Sequence, residues 1–318
     1  MKEFKIVSGS FVDGVACDVP SQNWVEADWA RQFDVMKAMG MDTVIIIRIG
    51  WGMPCADSAM YKSDVLRTTL YEEPDLVELL FRQADRVGLK MYLGLFDSET
   101  HWVRNDWDAE VDMNKRLLDE MWPRYGAHPS FHGWYLSHEG SMEYHQTKIW
   151  KPLAKRMREF DPTKRIMISP RYAGSKWAKD HAVTPQQHQK HFDYIFSELE
   201  GLVHEAAFMD GHVNFSELER YVAATHEVCA KHGVSFWSNL ETFDRDMPWR
   251  FPPIEWIKMK HKLEVVQPYV EKIITFEAPH FLSPYSMYPS AKGLCHRYLT
   301  DLRRRGVEVS ADAWREVV

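Results

Sequence analysis

Eight short hydrophobic runs recur along this chain, and most are separated by segments in which apolar residues have helical spacing. The runs cover residues 4–7, 43–48, 90–96, 131–136, 165–169, 203–209, 234–240 and 272–276. Continuous apolar runs of this length are typical of strands that are covered on both faces, as in a parallel sheet. The pattern therefore predicts eight buried parallel strands.

The segments between the runs carry helix signals. One predicted helix follows Pro74 and stops at Gly88, since a glycine commonly ends a helix. Its apolar face consists of Leu76, Leu79, Leu80, Ala84 and Val87. Another predicted helix begins at a capping box formed by Ser216 and Glu219 and stops at Gly233.

Alternation of strand and helix eight times predicts an α/β fold, and the count of eight favours a closed (β/α)8 TIM barrel. The 318 residues suit one barrel domain over residues 1–318 with elaborated βα loops. An open parallel sheet with an insertion is the alternative topology.

Charge and cysteine content narrow the classes of partner. The net charge of -7 argues against a nucleic-acid surface, because phosphate binding needs a basic patch, and it suits a neutral substrate. The widely spaced cysteines Cys17, Cys55, Cys229 and Cys295 contain no CxxC pair, so reduced and mostly buried thiols are expected.

The start of the chain and its hydrophobicity bear on location. Residues 1–6 run directly into a hydrophobic run and lack a signal-peptide core, and no apolar run has the length of a transmembrane helix. We expect a cytoplasmic protein without membrane contacts, although a secreted protein trimmed of its signal would have the same sequence.

Four carboxylates stand directly after hydrophobic runs: Glu139, Asp210, Glu241 and Glu277. A carboxylate at the end of a buried strand is costly unless it is paired, hydrogen-bonded or used. In a barrel the carboxyl ends of all strands converge on one mouth, where the active sites of this fold lie. The four carboxylates therefore predict one shared pocket.

The same strand ends and their loops supply candidates for substrate binding. These are Arg48, Trp51, Asp97, Trp102, His138, Arg171, Tyr172, Asp210, Trp237, Asn239, Glu277 and His280. Tryptophan can stack on a sugar ring, and arginine can hold a carboxylate or a hydroxyl group. For the tryptophans, including Trp177 and Trp249, packing in the core or a loop is the alternative.

Carboxylates and tryptophans at one mouth are the combination that glycosidic cleavage needs. One carboxyl group protonates the leaving oxygen, and a second attacks the anomeric carbon or activates water. Glu139 and Glu241 end the fourth and seventh predicted strands, so they would face each other across the mouth. They are the candidate catalytic pair, and no metal or other cofactor is expected.

Several segments resemble a known family. They are Gly9-Ser10-Phe11-Val12-Asp13, Asn23-Trp24, Met41-Asp42-Thr43-Val44-Ile45, the stretch from Tyr125 to Tyr135, Met209-Asp210-Gly211, Asn239-Leu240-Glu241-Thr242-Phe243 and Phe276-Glu277-Ala278-Pro279-His280. Over nearly its full length the chain resembles an uncharacterised family of glycoside-hydrolase-like TIM barrels, and more distantly the clan A glycoside hydrolases.

That resemblance implies roles for the two glutamates. It makes Glu139 the proton donor and Glu241 the nucleophile or base. Clan A enzymes usually carry an asparagine directly before the acid/base residue, whereas this chain has His138 at that place. The histidine is expected to alter the pKa or the orientation of Glu139.

Each of the four carboxylates also has a structural alternative. Glu139 can pair with Arg48 or Arg171, and Glu241 can pair with Arg245 or Arg250. Asp210 precedes a glycine and can cap its own βα loop. Glu277 can bind a hydroxyl group or hold His280 in one tautomer.

Three functions remain open at this point. The first is a metal-free glycosidase acting on a carbohydrate. The second is a metal-dependent sugar isomerase or epimerase, with Glu139, Asp210, His212 and Glu277 around one divalent ion. The third is a carbohydrate-binding barrel without catalytic activity.

Overall fold

Eight parallel strands form a closed barrel in the computed structural model, which describes residues 4–15, 21, 23–52, 58–66, 68–69, 75–141, 145–245, 251–310 and 312–315. The strands are β1 (Val7–Val12), β2 (Thr43–Ile46), β3 (Lys90–Gly94), β4 (Phe131–Leu136), β5 (Arg165–Ile168), β6 (Glu205–Met209), β7 (Ser235–Asn239) and β8 (Lys272–Thr275). Each strand pairs with the next one along the chain, and β8 pairs with β1. The predicted TIM barrel is confirmed.

The first strand lies later than the sequence predicted. The prediction placed it at residues 4–7, but β1 runs from Val7 to Val12 and includes the small polar residues Ser8, Gly9 and Ser10. Gly9 allows close packing there, because a Cβ would lie 2.8 Å from Ile274 Cγ2 and 3.1 Å from the Thr43 carbonyl oxygen. Close contact with both neighbouring strands therefore fixes the register, rather than hydrophobicity alone.

Within the described ranges, eight longer helices surround the barrel. They are α1 (Glu26–Ala38), α2 (Leu76–Val87), α3 (Trp107–Tyr125), α4 (Thr147–Phe160), α5 (Pro185–Glu198), α6 (Phe215–His232), α7 (Trp256–Val266) and α8 (Pro289–Arg304). Helix α2 ends at Gly88 with φ +68° and α6 ends at Gly233 with φ +66°, as predicted. The predicted capping box is wrong: Asn214 is the N-cap residue of α6, and Ser216 lies inside the first turn. Pro74 lies outside the described residues.

A small second sheet extends the mouth of the barrel. Its strands are Thr68–Thr69, Ser58–Ala59, Gly50–Trp51 and Phe96–Asp97, in that order across the sheet. Gly50–Trp51 runs parallel to Phe96–Asp97, which sets Trp51 directly beside Asp97. The sheet thereby fixes the loops after β2 and β3 relative to each other.

Two layers of apolar side chains separate the mouth from the outer surface. The barrel interior holds Phe11, Ile45, Ile47, Tyr92, Tyr135, Met167, Ala207, Trp237 and Ile274. A larger cluster fills the space between the strands and the helices, and it includes the buried thiols of Cys229 and Cys295. The other two cysteines lie outside the described residues. Among the described helices, none combines the length and hydropathy needed to cross a membrane.

Closure of the barrel between β2 and β3 depends on Gly94. A Cβ at this position would lie 2.3 Å from the Ile46 carbonyl oxygen and 2.5 Å from that of Ile47. We expect Gly94→Ala to lower the free energy of unfolding by roughly 1–3 kcal/mol, because the two backbones must move apart. Chemical denaturation monitored by circular dichroism measures this change.

Gly293 in α8 provides the matched control. A Cβ there meets no atom within 4 Å, and alanine is preferred over glycine inside a helix. Gly293→Ala should raise the free energy of unfolding by about 0.5–1 kcal/mol. Equal effects of the two substitutions would contradict the assignment of a steric role to Gly94.

Candidate functional site

A cavity of about 390 Å³ opens at the carboxyl-terminal mouth of the barrel. Its wall is formed by Asp13, Ile47, Arg48, Trp51, Glu99, Glu139, Trp177, Met209, Asn239, Glu241, Phe243, Arg245, Phe251 and Phe276. A larger groove of about 830 Å³ lies on the outer surface between α7 and α8, but among its described lining residues Asp301 is the one carboxylate. Of these two cavities, the one at the mouth is lined by several carboxyl groups together with aromatic rings.

Five of the residues predicted from the sequence as catalytic or substrate-binding lie on the wall of this cavity. They are Arg48, Trp51, Glu139, Asn239 and Glu241. The carboxyl ends of β2, β4 and β7 bring them together. The cavity thus contains both members of the candidate catalytic pair.

Glu139 stands three residues beyond the end of β4, partly exposed to the cavity. Its Oε1 accepts a hydrogen bond of 3.1 Å from the hydroxyl group of Tyr135, which lies deeper in the barrel. Burial raises the pKa of Glu139, and this effect exceeds the opposing effects of Arg48, Tyr135 and Arg171. The structural alternative, a direct pair with either arginine, is not among the described ion pairs.

Glu241 stands two residues beyond the end of β7 and is fully buried. Arg245 donates from Nε to Oε2 and from Nη2 to Oε1, both at 2.7 Å, in a bidentate pair. Burial alone would raise the pKa of Glu241, but the charge and hydrogen bonds of Arg245 lower it to about 2. A Cβ on Gly211 would lie 1.6 Å from Oε2, so a glycine is required beside this carboxylate.

Asp210 and Lys262 hold the backbone of Glu241 from both sides. Asp210 Oδ1 accepts the Glu241 N–H at 3.1 Å, and Lys262 Nζ donates to the Glu241 carbonyl oxygen at 3.2 Å. The two side chains also form a buried ion pair of 2.7 Å. Asp210 therefore lies behind the cavity wall and fixes Glu241 in place, instead of lying on the wall as a substrate contact.

Lys262 was not predicted from the sequence, although the sequence contains a signal. It follows Met259 by three residues and precedes Leu263 and Val266 on the buried face of α7. A lysine is rarely buried unless it is paired, so its position on an apolar helical face indicates a buried partner. Only the structure shows that the partner is Asp210.

His138 points away from the cavity. Its Nε2 lies 2.7 Å from Oε1 of Glu110 on α3, and both side chains are fully buried. Glu110 also accepts hydrogen bonds from the backbone N–H and the hydroxyl group of Ser98, which follows Asp97. Burial alone would raise the pKa of Glu110, but the hydrogen bond from His138 lowers it. The predicted substrate contact at His138 is therefore corrected to a link between β4, α3 and the loop after β3.

Glu277 and His280 also lie outside the cavity wall. Glu277 Oε1 pairs with His280 Nδ1, and Oε2 accepts the Asp13 N–H at 3.1 Å. The His280 ring stacks on Trp24 with 5.0 Å between ring centroids. This geometry agrees with the structural alternative for Glu277, in which its carboxylate holds the His280 ring.

Trp237 and Tyr172 occupy places other than those predicted. Trp237 points into the barrel two residues before Asn239, so it lies one layer below the mouth. Its ring contacts Tyr92, and Lys272 Nζ lies 5.2 Å from a ring centroid of the indole. Tyr172 packs outside the barrel wall against Phe208. Both side chains are used in packing, because strand direction and loop geometry turn them away from the cavity.

Asp97, Trp102 and Arg171 lie just behind the wall. Trp102 is buried and donates from Nε1 to Asp97 Oδ1 at 2.8 Å, and Asp97 Oδ2 lies 3.7 Å from Arg48. The Arg171 guanidinium lies over the ring of Trp177, 5.6 Å from its centroid. These three residues support side chains of the wall. Trp249 and Arg250 lie outside the described residues.

Several wall residues were not among the catalytic or substrate-binding candidates, and they include Glu99, Met209, Phe243 and Phe251. Glu99 follows the third run in Asp97-Ser98-Glu99, so a second carboxylate close to the strand end was the available signal. Phe243 and Phe251 lie before and after residues 246–250, and Arg245 lies over both rings. Burial and the nearby Asp97 raise the pKa of Glu99.

The described residues do not form the metal site of the isomerase alternative. Within these ranges, no three His, Cys, Asp or Glu side chains are placed to share an ion. Two of the four predicted ligands have other partners, since Asp210 pairs with Lys262 and Glu277 pairs with His280. In the described part of the chain, the four predicted ligands are therefore not gathered around one point.

The fold is a (β/α)8 barrel with carboxyl groups and aromatic rings at its mouth. The chain belongs to the family described as Domain of unknown function (DUF4434), whose model matches residues 7–288. None of the curated proteins compared with the chain matches it. The resemblance to glycoside-hydrolase-like barrels is thus confirmed, and the family itself assigns no reaction.

Several solved structures are similar to this chain. A Bacteroides thetaiotaomicron VPI-5482 protein provisionally named an alpha-L-fucosidase has 35% sequence identity and a TM-score of 0.87, over 95% of this chain and 94% of its own. The endo-1,4-beta-D-mannanase of Thermotoga petrophila RKU-1 has 12% identity and a TM-score of 0.59, over 93% and 100%. A GH29 alpha-L-fucosidase from Bacteroides thetaiotaomicron has 11% identity and a TM-score of 0.51, over 95% and 73%. At this level of identity, the similarity to the last two structures shows only that they have the same fold as this chain.

The Asp210–Lys262 pair yields a stability prediction. Lys262→Met should lower the free energy of unfolding by about 3–5 kcal/mol, because it leaves a buried carboxylate without its counter-ion. Adding Asp210→Asn should recover part of the loss by removing that charge. Denaturant titration measures both effects. Lys260→Met on the same helix, at a partly exposed position, should change stability by less than about 0.5 kcal/mol.

The pairing of Glu241 with Arg245 yields a pH prediction. The pKa of Glu241 in the folded protein is below its usual value of 4.5, so the unfolded chain binds more protons between pH 4.5 and about 2. The stabilisation is complete above this window and is lost as pH falls through it, and it amounts to roughly 3 kcal/mol. Urea titrations at several pH values measure the free energy of unfolding of the wild type and of Glu241→Gln, and the difference between the two reports this stabilisation. A difference that stays constant from pH 2 to 6 would contradict the lowered pKa.

Proposed function

We propose that this protein is a glycoside hydrolase in which Glu139 is the general acid and Glu241 is the nucleophile or general base. The observation that carries the proposal is the opposite direction of the two pKa shifts at one cavity. Burial raises the pKa of Glu139, while Arg245 holds the pKa of Glu241 at about 2 despite its burial. Two carboxyl groups whose environments separate their pKa values are suited to acid and base roles.

The proposed reaction uses Glu139 as the acid and Glu241 as the nucleophile or base. Glu139 donates its proton to the glycosidic oxygen as the bond from that oxygen to the anomeric carbon breaks. The ionised Glu241 then acts in one of two ways. It attacks the anomeric carbon and forms a glycosyl ester, which water hydrolyses with Glu139 now accepting the proton of that water, or it removes a proton from a water molecule as the water oxygen bonds to the anomeric carbon. Tyr135 orients the acid, and Arg245 orients the second carboxylate.

The rest of the wall supports a carbohydrate as the substrate. The indole rings of Trp51 and Trp177 and the phenyl rings of Phe243 and Phe251 supply flat apolar surface, which packs against the C–H face of a sugar. The volume of about 390 Å³ lies within the range of small-molecule sites, roughly 300–1,000 Å³. The relative with 35% identity is provisionally named an alpha-L-fucosidase, so α-L-fucosides are the first substrates to test.

Substitution of the two glutamates tests the proposal. With an α-L-fucoside or another hydrolysed glycoside that has a poor leaving group, Glu139→Gln should lower kcat/KM by about 10²–10⁴-fold, because the general acid is lost. With a nitrophenyl glycoside the loss should be much smaller, because that leaving group departs without a proton. Glu241→Gln should lower the rate similarly for both substrates. Initial-rate assays measure these ratios.

An exposed glutamate serves as the matched control. Glu200→Gln removes a carboxylate far from the mouth and should leave both rates unchanged. Sugar binding without turnover of any glycoside in a broad nitrophenyl panel would favour the non-catalytic alternative. Full activity of Glu139→Gln with poor leaving groups would remove Glu139 from the acid role.

A further inference from the structure

Glu99 is a third glutamate on the wall of the cavity, and the proposed reaction does not use it. It follows the short strand Phe96–Asp97 and lines the same space as Glu139 and Glu241. Its backbone has φ +52°, in the left-handed region that residues other than glycine seldom adopt. Such a conformation at a cavity wall motivates a functional hypothesis.

The side chain of Glu99 is joined to Trp51. Glu99 Oε1 accepts a hydrogen bond of 3.1 Å from Trp51 Nε1, and the Glu99 N–H donates to Asp97 Oδ1 at 3.0 Å. The Arg48 guanidinium lies over the Trp51 ring, 4.8 Å from its centroid, and 3.7 Å from Asp97. A carboxylate and an indole ring are thereby held as one rigid unit facing the cavity.

The loop that carries Glu99 is also linked to the proposed acid. Ser98 donates to Glu110, and Glu110 pairs with His138, which directly precedes Glu139. The relative placement of Glu99 and Glu139 is therefore set by buried hydrogen bonds, as binding of a ligand beside a reacting group requires.

Charge balance indicates the class of ligand. With Glu139 protonated as the proposed acid, the carboxylates of Asp13, Glu99 and Glu241 still outnumber the guanidinium groups of Arg48 and Arg245 among the described wall residues. The Arg245 group is already paired with Glu241. Such a wall does not favour an anionic ligand. A carboxylate accepts hydrogen bonds from hydroxyl groups, and an adjacent indole covers the apolar face of a ring.

We propose that Glu99, together with Trp51, fixes the orientation of a neutral sugar in the cavity by accepting hydrogen bonds from its hydroxyl groups. This inference rests on the proposed function in taking a carbohydrate as the ligand. It extends that function by naming neutral sugars as the substrate class and Glu99 as a specificity-determining residue.

Sugar binding tests the inference independently of turnover. Isothermal titration calorimetry with the otherwise unaltered full chain would compare L-fucose, D-mannose, D-galactose, D-glucose and D-glucuronate. For the neutral sugar that binds best, Glu99→Gln should weaken affinity by about 10–100-fold, as expected for a lost hydrogen bond to a charged group. Trp51→Phe keeps a ring but removes the N–H that holds Glu99, and should weaken affinity several-fold. Glu200→Gln is the control and should bind like wild type.

Deoxy analogues separate a specific contact from general damage. An analogue that lacks the hydroxyl group bound by Glu99 should bind the wild-type protein more weakly than the complete sugar does. For this analogue, Glu99→Gln should cause no further loss of affinity. A loss that is equal for every analogue, together with a lowered Tm, would assign Glu99 a structural role and overturn the inference. Unchanged affinity in Glu99→Gln, tighter binding of glucuronate than of glucose, or no binding of any neutral sugar would also overturn it.

The two proposals fail in different ways. Sugar binding that depends on Glu99, without hydrolysis of any glycoside, would refute the glycosidase and leave this inference standing. Hydrolysis that depends on Glu139 and Glu241, with affinity and KM unaffected by Glu99→Gln, would support the glycosidase and refute the role of Glu99.

Discussion

The burial of an ionised carboxylate at Glu241 is the constraint on which the mouth of this barrel depends. Moving a charge out of water costs several kcal/mol, so the carboxylate needs compensation from nearby groups. Arg245 supplies two hydrogen bonds to the carboxylate, and the Asp210–Lys262 pair holds the peptide groups on both sides of it. Several elements of the fold therefore converge on one side chain.

Glu139 lies at the same mouth but has no described ion pair like the one between Glu241 and Arg245. It also follows a buried strand, but its described hydrogen bond comes from the neutral hydroxyl group of Tyr135, and the charges of Arg48 and Arg171 do not outweigh its burial. Two glutamates that each follow a buried strand therefore have pKa values shifted in opposite directions. The difference arises from their neighbours and not from the strands that carry them.

Both glutamates are supported from the outer layer of helices. Glu110 on α3 reaches His138 beside Glu139, and Lys262 on α7 reaches the backbone of Glu241. Each contact is buried and includes one charged side chain, Glu110 or Lys262, so it couples the packing of a helix to the geometry of the mouth. The outer helices thereby contribute to the site as well as to the hydrophobic core.

The sequence by itself determined the barrel and indicated that Glu139 and Glu241 lie at its mouth, because most of the buried strands are continuous apolar runs and their carboxyl ends meet at one edge. It did not determine which way Trp237 and Tyr172 point, or that Lys262 reaches Asp210. Side-chain direction depends on strand register and loop path, and these contacts join residues far apart in the chain. The tertiary structure decided the direction in which the pKa of each glutamate is shifted, since a pKa depends on neighbours that only folding brings together.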